Sequence, residues 1–289
     1  MEKEALKLKI DELLEDLVNT LKEEVSYCLD SIILAGSYTI GKISLERPNV
    51  NVLIFLNDKI KPEDYLRIGD IFYKTGDKYK DYFSIKIDSL PFRFGIPNIR
   101  KEPQLVLTPN LLLMSEKDIK PPFGIPKNVL EGMASTSKVM FGPNPLSKID
   151  LTYSKQEFLQ WAFHDIGILF RNLLTRAPLS YQVENNVDLL AHESVELGKI
   201  ALYWGTEVFL EEKDIKAGKR IEMIKNSKGM VDFYNKIDKD IGKVAEIILE
   251  ARKHFREYKK DKKKAFLLYN AAFVAIHKVF YEIIKQMSS

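Results

Sequence analysis

The sequence predicts an α+β protein in two parts: a mixed sheet with flanking helices over residues 1–150, then an all-α helical bundle over 151–289. Three observations carry that division. Short apolar runs alternate with helix-period segments in the first half. From Ser154 onward the period is helical throughout. Between the two lies the turn-rich stretch GPNPLSKIDLTYS, Gly142 to Ser154.

Leu6, Ile10, Leu13, Leu14, Leu17, Leu21 and Val25 recur at helical spacing, so residues 2–27 read as an amphipathic helix. Ser31–Leu34 reads as a buried strand ended by Gly36-Ser37, and Val50–Leu56 as a second, ended by Asn57-Asp58. Pro62-Glu63-Asp64 suits the first turn of a helix running to about Lys78. Tyr82–Ile87 alternates as a third strand before Asp88. Leu105–Leu107 and Leu111–Met114 read as further short strands or a hairpin, Val129–Lys138 as a helix and Lys138–Phe141 as a last strand. In the second half Ser154-Lys155-Gln156-Glu157 is a capping box, and Ala177-Pro178 stops the helix it opens. Further helices are expected over about 184–204, 214–226, 229–258 and 263–286. The last carries Phe266, Tyr269, Phe273, Ile276, Phe280 and Ile284 on one side.

Composition is that of a soluble globular protein, 45% hydrophobic and 29% charged, with the Lys, Glu and Ile usage of ion-pair-rich thermophile proteins. One cysteine, Cys28, excludes an intrachain disulfide and a multi-cysteine metal site and suits a reducing compartment. No apolar stretch approaches the ~18 residues of a membrane span, and the charged start MEKEALKLKIDELLEDL is unlike a signal peptide, so a cytoplasmic protein is expected. The formal charge of +3 conceals one asymmetry: Arg252–Lys264 holds eight Lys/Arg and two acids, leaving the remainder acidic. That run could meet RNA phosphates or an acidic partner, with Phe255 and Tyr258 as stacking surfaces; a solvated helix end is the plainer reading.

The segment SIILAGSYTIGKISLERPNVNVLIFL, Ser31 to Leu56, carries the chemistry. A Gly-Ser turn at a strand end lets backbone N–H groups and a small hydroxyl approach phosphates. Residues at i and i+2 of a following strand share a face. Carboxylates there, with a third on a neighbouring strand, hold divalent ions against a nucleotide. Ala35-Gly36-Ser37, then Gly41-Lys42, then eleven residues between Ser37 and Asn49 resemble the signature of the nucleotidyltransferase superfamily built on the polymerase-beta-like palm. The leading helix and the Phe141-Gly142-Pro143-Asn144-Pro145 turn before a helical half are similar to the two-domain aminoglycoside nucleotidyltransferases. The resemblance implies Gly36, Ser37 and Lys42 as nucleotide-binding residues and a metal face at Asn49, Asn51 and Asp88. It also implies a nucleoside triphosphate as ligand and a pocket between the two halves.

The departure is that the paired acids are Asn49 and Asn51, so Mg2+ binding is weakened or lost and no metal ligand is assigned with certainty. One unit charge against a dication at 4 Å is worth about 8 kcal/mol gross at an effective dielectric of ~20, and a small net part of that sets metal affinity. The expected function is therefore a degenerate nucleotidyltransferase-like protein that binds a nucleotide or related ligand with little or no transferase activity. Two alternatives stand beside it. One is an active metal-dependent enzyme drawing on Asp88 with Glu46 or Asp58 and acting on a small molecule, RNA or protein hydroxyl. The other is a non-catalytic scaffold that self-associates as a homo-oligomer.

Elsewhere, His164-Asp165 reads as a surface pair, His192-Glu193 with Glu196 as a solvated helix face, and His277 as a packed core histidine. Arg171 and Arg176 lack the following histidine of a helical ribonuclease motif, so that activity is not supported.

Overall fold

A computed structural model describes residues 3–43, 48–82, 84–89, 92–95, 104–114, 125–184, 187–216 and 218–288. The chain divides into two compact units, Met1–Thr152 and Tyr153–Ser289.

The first unit opens with α1 (Lys3–Val25), whose apolar stripe is fully buried from Leu6 to Val25. Strands β1 (Leu29–Ala35) and β2 (Asn49–Leu56) pair antiparallel, and α2 (Pro62–Lys78) follows. Strands β3 (Ser84–Ser89), β4 (Phe92–Gly95) and β5 (Gln104–Leu113), helix α3 (Lys127–Ala134) and strand β6 (Lys138–Phe141) complete it. The six strands lie in the order β4-β3-β5-β2-β1-β6, with β5 parallel to both β2 and β3 and the other pairs antiparallel.

Two departures from the sequence reading have physical causes. Leu105–Leu107 and Leu111–Met114 are not a hairpin but belong to one strand, β5, running through Pro109. Pro109 lacks a donor, yet β3 pairs β5 only as far as Leu107, so that edge asks for none at Pro109. Strand β4, too short to show a period, was not anticipated.

Strand alternation sorts the core into two layers. Ile32, Leu34, Val50, Val52, Ile54, Leu56, Leu105 and Leu107 face α1 and α2. Ile33, Ala35, Leu53 and Phe55 face α3, packed by Leu130 and Leu146. Cys28 is buried, its thiol donating to the Val25 carbonyl at 3.3 Å.

Helices α1 and α2 are tied by Asp16, whose Oδ2 accepts from Lys78 Nζ at 2.5 Å and Tyr79 Oη at 2.6 Å. The Lys78 hydrogen bond, then that of Tyr79, hold the Asp16 carboxyl below the usual carboxylate range. A depressed folded pKa means stability present above the unfolded value of ~3.9 and lost as pH falls through the lower folded value. Replacing Asp16 with Asn is expected to flatten the acid limb below about pH 4, read from urea midpoints of both proteins across pH. Equal pH slopes would refute the link.

The second unit is helical throughout: α4 (Lys155–Arg171), α5 (Ala177–Glu184), α6 (Val187–Phe209), α7 (Glu212–Lys216), α8 (Lys219–Lys225), α9 (Ser227–Ile237), α10 (Lys239–Lys253), α11 (Phe255–Tyr258) and α12 (Lys262–Met287). Ser154 and Glu157 form the expected capping box on α4. A π turn over Asn172–Arg176 carries α4 into α5, so Ala177-Pro178 opens a helix instead of ending one; a first-turn proline needs no donor. The single helix expected over 229–258 is three, because Asp238 caps α10 by accepting from Asp240 N and Ile241 N.

Helix α6 packs against α4, α5, α8, α10 and α12. That encirclement buries His192, Glu193 and Glu196, which correct the expectation of a solvated face. At its C-terminal end the carbonyls of Glu207 and Val208, and that of Leu210 just beyond, accept from the Lys155 ammonium at 2.6, 2.9 and 3.1 Å. Burial pushes Lys155 down to about 8.

Helix α12 comes against α6 where Ala272 stands beside Gly198 and Val279 beside Gly205, while Phe273 and Phe280 pack on Phe170 of α4. Ala265, Leu268, Ala271, Ala272, Ala275, Ile276, Val279 and Ile283 are buried, while Phe266 and Ile284 are 38% and 41% exposed. A Cβ on Gly198 would lie 3.1 Å from Ala272 Cβ, so the axes come close enough to exclude large side chains. His277, expected in the core, is exposed and stacks on Phe273 with ring centres 6.0 Å apart. An 18-residue window of α12 has mean hydropathy 1.3, which meets the length and composition of a membrane span, contrary to the sequence expectation. Lys262, Lys263 and Lys264 occupy the first turn of α12, against its dipole, each unfavourable by ~0.3–1 kcal/mol.

Candidate functional site

The Gly-Ser turn and the asparagine strand meet at one end of the first unit's sheet. Ala35 pairs with Asn51 across β1 and β2, and Asn51 Nδ2 donates to the Ala35 carbonyl at 3.4 Å. Gly36 has φ 92°, and a Cβ there would lie 2.6 Å from Asn51 Nδ2. Glycine is therefore required twice, by its backbone and by its neighbour. A carboxylate at position 51 would set oxygen against the Ala35 oxygen; the amide supplies a donor instead.

Asn49 and Asn51 are half-buried and share β2's face with Leu53 and Phe55, which α3 covers. The strand beside β2 is β5, where Val106 stands opposite Asn49 and Thr108 opposite Asn51. Thr108 and Asn110 share that face, and Asn110 Nδ2 donates to the Thr108 carbonyl at 3.1 Å. The sequence reading set Asp88 on the neighbouring strand. In the structure Asp88 lies on β3, opposite Arg93, with β5 between it and β2. Two strand spacings separate it from β2, about 10 Å. The position adjacent to Asn51 is thus held by a hydroxyl residue. Asp58, the alternative acid, is exposed in the turn beyond the far end of β2, which ends at Leu56, about 16 Å along the strand from Asn51. Glu46 lies outside the described residues.

The Gly36 turn is closed by side chains that the sequence reading did not mark. Gly36 N donates to Thr136 Oγ1 at 2.9 Å, and Thr39 Oγ1 contacts the carbonyls of Gly36 and Thr136 at 2.7 and 2.5 Å. Lys42 N donates to the Ser37 carbonyl at 2.9 Å; Ser37 is half-buried and Lys42 exposed. Tyr38 Oη donates to Asp11 Oδ1 at 2.5 Å, tying the turn to α1; burial, then Asp11, raise the phenol's pKa. Thr136 follows α3 in the triplet Ser135-Thr136-Ser137, and only the pairing of β6 with β1 brings it to Gly36. A cavity of about 540 Å³ lies on the α1 side of the turn, lined among others by Lys7, Asp11, Glu15, Lys22, Tyr38 and Lys138.

Among the described residues no three His, Cys, Asp or Glu side chains converge as a metal site. The chain matches no protein-family model and no curated protein. Its fold is similar to the crystal structure of spectinomycin adenyltransferase AAD(9) from Enterococcus faecialis, solved with ATP and spectinomycin. The two share 11% identity and a TM-score of 0.49, over 90% of this chain and 98% of that one. The remaining histidines form local pairs. His164 Nδ1 is 3.2 Å from Asp165, and burial raises the Asp165 carboxyl's pKa. His254 Nε2 is 3.1 Å from Glu250.

Proposed function

We propose that this protein is a nucleotidyltransferase-like binding protein whose site has exchanged metal-dependent transfer for metal-independent recognition of a nucleotide or related ligand. The observation that carries the reading is the uncharged face of Asn49, Asn51 and Thr108 beside the Gly36 turn, with the Asn51 amide bonded to Ala35 O. Amides and hydroxyls bind sugar hydroxyls and base edges without a cation. Gly36 and Ser37 flank that face, and Lys42 supplies a positive charge for phosphate. Asp88 belongs to β3, one strand beyond β5 and not beside Asn51.

The test titrates purified protein with ATP, GTP, CTP and UTP, with and without Mg2+ or Mn2+, and assays pyrophosphate release on a mixed acceptor pool. Binding that does not depend on metal, without turnover, is the expected result. Metal-dependent turnover abolished by Asp88→Ala would overturn the reading in favour of an active enzyme. Failure of every nucleotide to bind would overturn it in favour of a scaffold.

A further inference from the structure

The basic run lies entirely within the second unit. It spans the end of α10, all of α11 and the start of α12. Part of its charge is neutralised locally: Lys264 pairs with Glu257 at 2.5 Å and Lys253 with Glu250 at 4.0 Å, while Arg252 keeps its charge and donates to Tyr203 Oη at 2.6 Å. Lys260, Lys262 and Lys263 are exposed and make no ion pair among the described residues. Lysines in the first turn of α12 oppose its dipole, so helix stability does not account for them.

Aromatic rings are interleaved with these charges. Phe266 is 38% exposed and stands one turn from Lys262, whose ammonium lies 5.9 Å from its ring centre and 5.7 Å from that of Tyr181. Tyr181 meets Phe266 edge-on at 5.4 Å, which fixes the ring's plane. Tyr258 has the Lys264 ammonium 5.7 Å from its centre.

We propose that this corner binds single-stranded nucleic acid, with Lys260, Lys262 and Lys263 on phosphates and Phe266 as a stacking surface for an unpaired base. An acidic polypeptide would satisfy the lysines and leave the ring without a partner. A duplex would hide the base faces that the ring could stack.

The full chain is titrated with a labelled single-stranded RNA of about twelve nucleotides at several salt concentrations, by fluorescence anisotropy. The triple variant Lys260→Gln/Lys262→Gln/Lys263→Gln should weaken binding at least about tenfold. It should also reduce the slope of log K against log salt by about 2, three contacts at ~0.7 each. Phe266→Ala should weaken binding about tenfold with the slope unchanged. Removing lysines from a helix N-terminus does not threaten folding, and thermal midpoints at or above the parent's verify this. The proposal is overturned by no binding at about 50 mM salt, or by variants that bind like the parent. It is equally overturned by duplex RNA binding as tightly as the single strand, or by polyglutamate displacing the RNA at equal charge.

Discussion

Asn49→Asp/Asn51→Asp should bind Mn2+ at least about a hundredfold more tightly than the parent. Each substitution adds one negative charge to the same face of β2, beside the Gly36 turn. The gross attraction of about 8 kcal/mol per charge at 4 Å is mostly consumed by desolvation, and a net ~3 kcal/mol corresponds to about a hundredfold. The same change carries a penalty in the metal-free protein. Asn51 Nδ2 donates to Ala35 O, and an aspartate there faces that oxygen with another acceptor. Losing the bond and adding the repulsion costs about 1–3 kcal/mol. The metal-free double variant should therefore melt below the parent, and Mn2+ should restore the loss by linkage. Isothermal titration and thermal melts read both effects. If the variant binds Mn2+ no better than the parent, this face is not the remnant of a metal site.

Gly142→Ala is expected to destabilise the first unit by about 3 kcal/mol, combining a left-handed backbone penalty with overpacking. Gly142 follows β6 at φ 71°, and a Cβ there would lie 2.1 Å from the Asp30 carbonyl oxygen and 3.0 Å from Ser31 Cβ. The obstacle is backbone in β1, which is paired on both sides and cannot retreat. Gly41→Ala is the matched control. Its φ of 72° is nearly the same, but nothing lies within 4 Å of the added carbon. It should cost only the backbone part, about 1 kcal/mol. Equal urea midpoints for the two variants would show that the contact with Asp30 relaxes freely.

Much of this architecture is legible in local pattern. The α1 stripe, the β1 and β2 runs, the capping box at Ser154 and the turn-rich stretch before it all express periods or caps that operate within a few residues. What escaped depends on residues distant in sequence. Nothing local tells that β5 lies between β2 and β3, so Asp88 was assigned to a neighbouring strand while Thr108 went unmarked. Thr136 reaches Gly36 across a hundred residues of chain through sheet pairing alone. On α12 the sequence pattern marks the aromatic side and says nothing of the alanines. The observed contact favours alanine, since close approach to Gly198 rewards small volume over apolar surface. The Asn-Val-Asn pattern shows in the sequence as two uncharged residues on one face, but not the hydrogen bond from Asn51 to the Ala35 carbonyl.

That hydrogen bond gives the site a direction in evolutionary time. Asn51 braces the turn before it, so on the proposed reading an acid placed there first passes through a protein that is less stable and still lacks a metal partner. A path beginning at Asn49 avoids the strut until a cation can compensate for its removal. If the proposed function holds, the order in which acids can be exchanged for amides on this face is constrained by one side chain's contact with the turn before it.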